Sequence, residues 1–212
     1  MPVYSNSTGN KPPWTLAAKA QYLAYDSQRA AARVGITKHQ TPPDLFERAR
    51  TQSALRAMLF IKANYPKEKF HSTLHFLVHK FWTPPNADVV DEGSLRALLL
   101  EATETPSGGA KLFTEADVTR IMDGRAQMKA KLAENTNKAV ESGAFGCPWF
   151  LVTNSKGEVQ PVFGSDRYSL SSAQKLGVNL LTNFFGGRFN HIYMHLGIPF
   201  QDVAILEPGS KL

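Results

Sequence analysis

The chain has 212 residues, of which 42% are hydrophobic and 20% are charged, as is usual for a folded globular protein. Its formal net charge of +6 is dispersed along the sequence, which argues against a nucleic-acid-binding stripe. No apolar run approaches the ~18 residues of a membrane-spanning helix, so membrane insertion is not expected. The single cysteine, Cys147, excludes a disulfide within the chain and a Cys-x-x-Cys motif, and it suits a reducing compartment.

Apolar residues recur at helical spacing from the first tryptophan to residue 140. Glycine and proline mark the ends of the helices, because proline cannot continue a helix and glycine readily adopts the backbone angles that end one. The predicted helices are residues 14–34, 41–66, 70–82, 95–102, 114–124 and 125–140, with Thr114 as a cap. Residues 103–109 are predicted to be a loop.

A glycine-rich segment and two strands follow these helices. Gly143-Ala-Phe-Gly-Cys-Pro-Trp149 leads into residues 149–152, which are apolar enough to form a buried strand. Asn154-Ser-Lys-Gly157 is typical of a hairpin turn, and residues 159–163 are predicted to be the returning strand. Because proline lacks an N–H group, Pro161 indicates that this second strand lies at a sheet edge.

A further helix is predicted directly after the second strand. Ser165 or Asp166 caps it, since both side chains can accept a hydrogen bond from the first backbone N–H groups of a helix. The remaining free N–H groups of such a helix start can hold a carboxylate. The residues after Phe163 are therefore a candidate anion site.

The two segments Gly143-Ala-Phe-Gly-Cys-Pro148 and Phe163-Gly-Ser-Asp-Arg167 together resemble the kappa-class glutathione transferases and the related 2-hydroxychromene-2-carboxylate isomerases. These proteins belong to the DsbA-like part of the thioredoxin superfamily. The resemblance implies an α/β, thioredoxin-like fold with an inserted all-helical domain. It also implies that the peptide bond before Pro148 is cis.

The same resemblance implies how glutathione is bound. Backbone atoms of Cys147, next to Pro148, pair with the cysteinyl part of glutathione as an added strand would. Ser165 and Asp166 receive the γ-glutamyl end. Many relatives carry an apolar residue in place of Cys147, which favours a backbone role for this residue over a redox role for its thiol.

A second segment, Ser7-Thr-Gly-Asn-Lys-Pro-Pro13, resembles the one that opens the helical domain of the family. The resemblance implies that Asn10 contacts the glycyl end of glutathione and that Lys19 supplies positive charge near its carboxylate. The alternative is that the glycine and the prolines simply form a turn before a helix.

By this resemblance the chain is one kappa-like domain over residues 1–212. Residues 10–125 form the helical insert, 126–177 the C-terminal half of the thioredoxin-like domain, and 178–212 a tail. Family members carry a strand-helix-strand unit before the insert, with a Ser-Pro-Tyr turn whose serine activates the glutathione thiol. Ser-Pro-Tyr does not occur in this sequence. We therefore expect an incomplete sheet with exposed apolar side chains, and the catalytic residue is unassigned.

The resemblance implies a glutathione transferase that uses glutathione as co-substrate on a small hydrophobic electrophile, and that forms a homodimer. Two alternatives remain: a glutathione-dependent isomerase of the 2-hydroxychromene-2-carboxylate type, and a catalytically inactive remnant or interaction protein. Ser210-Lys211-Leu212 at the C-terminus matches an address read by the peroxisomal import receptor, so a peroxisomal location is expected.

Two groups of side chains on the predicted helix 70–82 have more than one interpretation. His71, His75 and His79 share one helix face, but the first and last lie ~12 Å apart along the axis and cannot bind one ion. We predict a half-exposed or interface face there and no metal site. The aromatic residues of the same helix are predicted to be core or dimer contacts rather than a ligand box: Phe76, Phe81 and Trp82.

Overall fold

The computed structural model of the chain describes residues 16–33, 36–163 and 189–198, which divide into two compact units. The first unit, Gln21–Lys138, is mainly helical. The second contains the described residues 16–20, 139–163 and 189–198. No helix in the described ranges is both long enough and apolar enough to cross a membrane.

Helices and one small hairpin make up the described part of the first unit. The helices are α1 (Ala17–Arg33), α2 (Leu45–Arg48), α3 (Gln52–Asn64), α4 (Lys67–Trp82), α5 (Glu92–Glu101), α6 (Glu115–Gly124) and α7 (Lys129–Glu141), with a 3-10 turn at Arg125–Met128. The strands β1 (Thr103–Thr105) and β2 (Gly108–Lys111) pair antiparallel. Helices α1 and α7 each extend across the boundary between the units.

The core of the first unit is formed by the apolar faces of α3 to α6. Its fully buried side chains include Ile61, Leu95, Leu99, Val118 and Ile121. Leu95 and Leu99 of α5 lie one helical turn apart and therefore share a face, as do Val118 and Ile121 of α6. Burial of each such side chain stabilises the fold by ~1.5–3 kcal/mol.

The aromatic residues of α4 belong to this core. Phe76 and Phe81 are buried within it, and Trp82 packs against it while partly exposed. The rings of Phe81 and Trp82 meet edge to face, with centroids 5.0 Å apart. The prediction of core contacts is thus confirmed for Phe76 and Phe81.

The predicted helix 41–66 is two helices in the structure, so that prediction was wrong in its extent. Helix α2 ends at Arg48 and α3 begins at Gln52. The Arg48 guanidinium binds Asp44, with Nε 2.6 Å from Oδ1, and also donates to the backbone carbonyl of Asn86. This link ties the short α2 to the loop after α4, a contact that helical periodicity does not reveal.

Other element boundaries also differ from the prediction, among them the start of α4, which lies at Lys67 rather than at residue 70. Helix α5 begins at Glu92 rather than at residue 95, because the Asp91 carboxylate accepts a hydrogen bond from the Ser94 N–H at 2.8 Å. The predicted loop 103–109 contains strand β1 and the start of β2. The predicted helix 125–140 opens with the 3-10 turn before α7.

The second unit contains the predicted strand pair. Strands β3 (Trp149–Thr153) and β4 (Val159–Phe163) run antiparallel, from Trp149 opposite Phe163 to Thr153 opposite Val159. The Asn154 side chain forms the turn, since its Oδ1 accepts hydrogen bonds from the N–H groups of Lys156 and Glu158 at 2.9 and 3.0 Å. Both strands and the turn therefore lie where the sequence predicts them.

The prediction that the first of these strands is buried was wrong. The side chain of Leu151, at the centre of β3, is 54% exposed, and Val159 of β4 is 56% exposed. Within the described residues β3 pairs with β4 alone, so no further strand extends the sheet and covers its apolar side chains. This exposure is what an incomplete sheet predicts.

A short helix, α8 (Phe189–Leu196), packs against both strands. Its His195 places ring atom Nε2 3.1 Å from the carbonyl oxygen of Val152 and 2.9 Å from that of Glu158. Both carbonyl oxygens can only accept, so Nε2 carries the proton and donates to both. The hairpin and α8 are thereby joined near the turn.

Candidate functional site

The glycine-rich segment begins at the end of α7. Gly143 has φ of +90°, and its N–H donates to the carbonyl of Val140, while that of Ala144 donates to Ala139. These two bonds form a Schellman motif, in which glycine occupies the left-handed position that ends the helix. Because the Ala144 side chain is fully buried, the direction in which the chain leaves α7 is fixed.

Aromatic rings hold the middle of the segment. The Phe145 ring centroid lies 4.4 Å from that of Phe163 and 5.7 Å from that of Trp149. A Cβ added to Gly146 would lie 2.9 Å from an atom of the Phe163 ring. Glycine at this position therefore lets the segment pass close to β4 without moving that ring.

The end of the segment is tied back to α7 by side chains. The Trp149 indole donates from Nε1 to the Ser142 hydroxyl oxygen at 3.0 Å. That hydroxyl in turn donates to the carbonyl oxygen of Ala139 at 2.7 Å. The six residues between Ser142 and Trp149 thus form a loop closed at its base, here called the 143–148 loop.

The 143–148 loop presents Cys147 at the protein surface. Cys147 is exposed, and Pro148 is half-buried immediately before β3. The Cys147–Pro148 peptide bond is cis, which confirms what the sequence resemblance implied. The structure thus places these two neighbouring predicted site residues at the entrance to a strand.

The chain resembles known proteins over most of its length. A family model described as a DSBA-like thioredoxin domain matches residues 4–174. The chain belongs to the DSBA-like thioredoxin family. This match also confirms the predicted fold class, a thioredoxin-like α/β fold with a helical insertion.

Individual proteins that resemble the chain are named as kappa glutathione transferases. Glutathione S-transferase kappa 1 of Caenorhabditis elegans is 27% identical over 167 residues, which cover 77% of this chain and 68% of that protein. Glutathione S-transferase kappa 1 of Homo sapiens is 28% identical over 166 residues, 77% of this chain and 69% of that protein. Glutathione s-transferase kappa 2 of Caenorhabditis elegans is 44% identical over 54 residues, about a quarter of each chain (25% and 24%).

Of the other predicted site residues, the structure describes Lys19. Lys19 lies exposed in the first turn of α1. The remaining ligand-binding and targeting residues lie outside the described residues: Asn10, Ser165, Asp166, Ser210, Lys211 and Leu212. Their proposed roles therefore rest on the sequence.

The histidines of α4 share one face of the helix, as their spacing predicts. His71 and His75 are half-buried and His79 is exposed. Burial, and secondarily the nearby charge of His71, lower the pKa of His75 below its usual value of 6.5. In the described part of the chain, no three or more His, Cys, Asp or Glu side chains are grouped so that they could hold a metal ion.

The sequence predicts the glycines, the cysteine and the proline of the 143–148 loop, but not the bond that Ser142 accepts from Trp149. The available signal was a serine directly before the glycine that ends a helix and seven residues before a tryptophan. Only the folded loop shows that the hydroxyl and the indole meet.

Proposed function

We propose that this chain binds glutathione at the 143–148 loop and acts as a kappa-type glutathione transferase on a small hydrophobic electrophile. The observation that carries the proposal is the exposed position of Cys147 at the entrance to β3, in a chain similar to proteins named glutathione S-transferase kappa. A peptide-like ligand can pair with backbone groups at the start of such a strand.

In this proposal the parts of glutathione are bound by different segments. Backbone atoms of Cys147 pair with the cysteinyl part, and the peptide at Pro148 shapes that contact. Ser165 and Asp166 bind the charged γ-glutamyl end, and Asn10 and Lys19 bind the glycyl end. The reaction is attack of the bound thiolate on the electrophile, which the protein promotes by orienting the nucleophile.

Calorimetric titration with glutathione tests the binding part of the proposal. Asp166→Asn is expected to weaken binding by about 5- to 150-fold, because it removes a charged partner from the ligand. Ser165→Ala is expected to weaken it in the same direction. Cys147→Ala keeps the backbone and is expected to change the affinity by less than ~2-fold.

Asp123→Asn is the matched control, since Asp123 is an exposed aspartate of α6. Its affinity for glutathione should equal that of the wild type. An unaltered affinity in both Ser165→Ala and Asp166→Asn would remove these residues from the site. A wild-type protein that does not bind glutathione would overturn the proposal.

A second assay separates the possible reactions. The protein is incubated with glutathione and either 1-chloro-2,4-dinitrobenzene or 2-hydroxychromene-2-carboxylate. Conjugation of the first compound supports the transferase. Isomerisation of the second compound without conjugation of the first would show that the protein is an isomerase and not a transferase. Glutathione binding with neither reaction would indicate a non-catalytic binding protein.

We also propose that the chain is imported into peroxisomes through Ser210-Lys211-Leu212. The support is the match of these residues to a C-terminal address that is read by a receptor. A fluorescent protein fused to the N-terminus should accumulate in peroxisomes, and removal of the three residues should disperse it into the cytosol. Peroxisomal retention after that removal would contradict the proposal.

A further inference from the structure

We propose that Ser142 and Trp149 are positioning residues of the glutathione site. Neither needs to touch the ligand. Their hydrogen bond closes the 143–148 loop and holds the backbone of Cys147 in the arrangement that binds glutathione. This inference rests on the proposed function, and it assigns to that site two side chains that the ligand-binding pattern does not include.

The chemistry of the two groups fixes the direction of the link. An indole N–H can only donate, so the Trp149 side chain requires an acceptor. The Ser142 hydroxyl uses its one hydrogen for the carbonyl of Ala139 and keeps its lone pairs for the indole. Trp149, Ser142 and the last turn of α7 thus form one continuous chain of hydrogen bonds.

These hydrogen bonds join the two ends of the loop that carries Cys147. At the first end, the Schellman bonds of Gly143 and Ala144 fix the exit from α7. At the other end, Trp149 is the first residue of β3 and directly follows Pro148. The indole therefore connects the entrance of the strand to the exit of the helix, with the exposed cysteine between them.

A loop that is ordered before the ligand arrives loses less conformational entropy on binding. The rings of Phe145 and Phe163 restrain the middle of the loop, whereas the indole hydrogen bond restrains its base. Loss of that bond should therefore reduce glutathione affinity while the rest of the unit stays folded.

The test compares glutathione affinity in four variants by calorimetry. Ser142→Ala and Trp149→Phe are each expected to bind about 3- to 10-fold more weakly, the effect of one hydrogen bond. The double variant should bind no more weakly than the worse single variant, because both changes remove the same bond. Ser142→Thr keeps the hydroxyl and should restore affinity to within ~2-fold of the wild type.

Thr136→Ala is the matched control for lost helix contacts. The Thr136 hydroxyl also donates to a backbone carbonyl of α7, that of Leu132 at 2.8 Å, but it has no bond to the loop. This variant should bind glutathione like the wild type. Hydrogen exchange of the Trp149 indole N–H, assigned by its absence in Trp149→Phe, should accelerate in Ser142→Ala and not in Thr136→Ala.

The outcomes separate this inference from the function on which it rests. A wild-type protein without glutathione binding overturns both. If the wild type binds glutathione and Ser142→Ala binds it equally well, the positioning role alone is overturned. This holds even if the variant melts at a lower temperature. Additive effects in the double variant would also overturn it, because two independent contacts would then be responsible.

Discussion

Gly124, at the end of α6, is required by packing rather than by backbone conformation. Its φ of −70° is open to any residue, but a Cβ at this position would overlap the ring of the buried Phe60. We expect Gly124→Ala to lower the free energy of unfolding by about 1–3 kcal/mol, as overpacking does in other cores. Urea denaturation of both proteins measures the difference.

The same substitution in α5 provides the control. A Cβ on Gly93 would lie 3.4 Å from Asp91 Oδ2, an ordinary contact, so Gly93→Ala should be neutral or stabilising by up to about 1 kcal/mol. Gly124→Ala should lower the free energy of unfolding less in a Phe60→Leu background than in the wild type, because the overlapping ring is then absent. Equal stability of Gly124→Ala and the wild type would show that the ring moves aside without loss.

His75 is expected to make the protein less stable as the pH falls. Burial first, and the charge of His71 second, lower the pKa of His75 below 6.5 in the folded state. The unfolded chain then binds more protons than the folded one, so stability decreases once the pH drops through 6.5 and continues to decrease until the lowered pKa is passed.

Thermal unfolding at pH 7.5 and pH 5 measures this effect. His75→Gln should lose less stability between the two values than the wild type does, because glutamine does not titrate. His79→Gln, which changes an exposed histidine of the same helix, should behave like the wild type. An identical pH dependence in all three proteins would exclude a contribution from His75.

At the scale of elements, the contact of α8 with the hairpin includes one histidine that bonds to both sides of the turn. Among the described side chains of α8, Ile192 is buried and apolar. His195 supplies the hydrogen bonds to the carbonyls of Val152 and Glu158. We expect His195→Ala to increase amide exchange of α8 by about 10-fold, since it leaves both carbonyls without that donor. Exchange in β3 should change much less, because its pairing with β4 remains.

Met194→Ala is the control for a change of side chain on α8 itself. Met194 is 65% exposed and alanine favours helix, so exchange in this variant should stay close to that of the wild type. If His195→Ala leaves the exchange of α8 unchanged, the hydrogen bonds of His195 are not needed to hold the helix.

Local signals were the part of the fold that the sequence predicted well. Thr114 was expected to cap a helix, and the structure shows reciprocal bonds between Thr114 and Asp117 at the start of α6. Such caps depend on residues three apart, so the sequence contains all the information. The contact between Arg48 and Asn86, by contrast, joins residues 38 positions apart, and no local pattern encodes it.

The same distinction applies to the candidate site. The glycines and the proline of the 143–148 loop and its position before a strand follow from residue types at fixed spacing. The bond between Ser142 and Trp149 exists only because the loop closes on itself. The exposure of Leu151 was likewise not readable from β3 alone, since it depends on which elements cover the sheet.

At the scale of the whole molecule, the two units differ in how much apolar surface they bury. The contiguous core cluster, from Ala54 to Met122, lies entirely in the first unit. In the described part of the second unit the buried apolar side chains are Ala144, Val162 and Ile192. Local opening requires less free energy where fewer apolar contacts are broken, so the second unit should open more often than the first.

Hydrogen exchange followed by mass spectrometry tests this difference. Amides of α5 and α6 should exchange at least ~10-fold more slowly than those of β3 and β4. Glutathione at 100 times its dissociation constant should slow exchange in the second unit by up to about 100-fold, because a ligand stabilises the state that binds it by about 2.7 kcal/mol at that concentration. If glutathione slows exchange in α5 and α6 by the same factor, the units open together. If it slows exchange in neither, the 143–148 loop does not bind this ligand. A change confined to β3 and β4 is the result that an easily opened unit with its own binding loop requires.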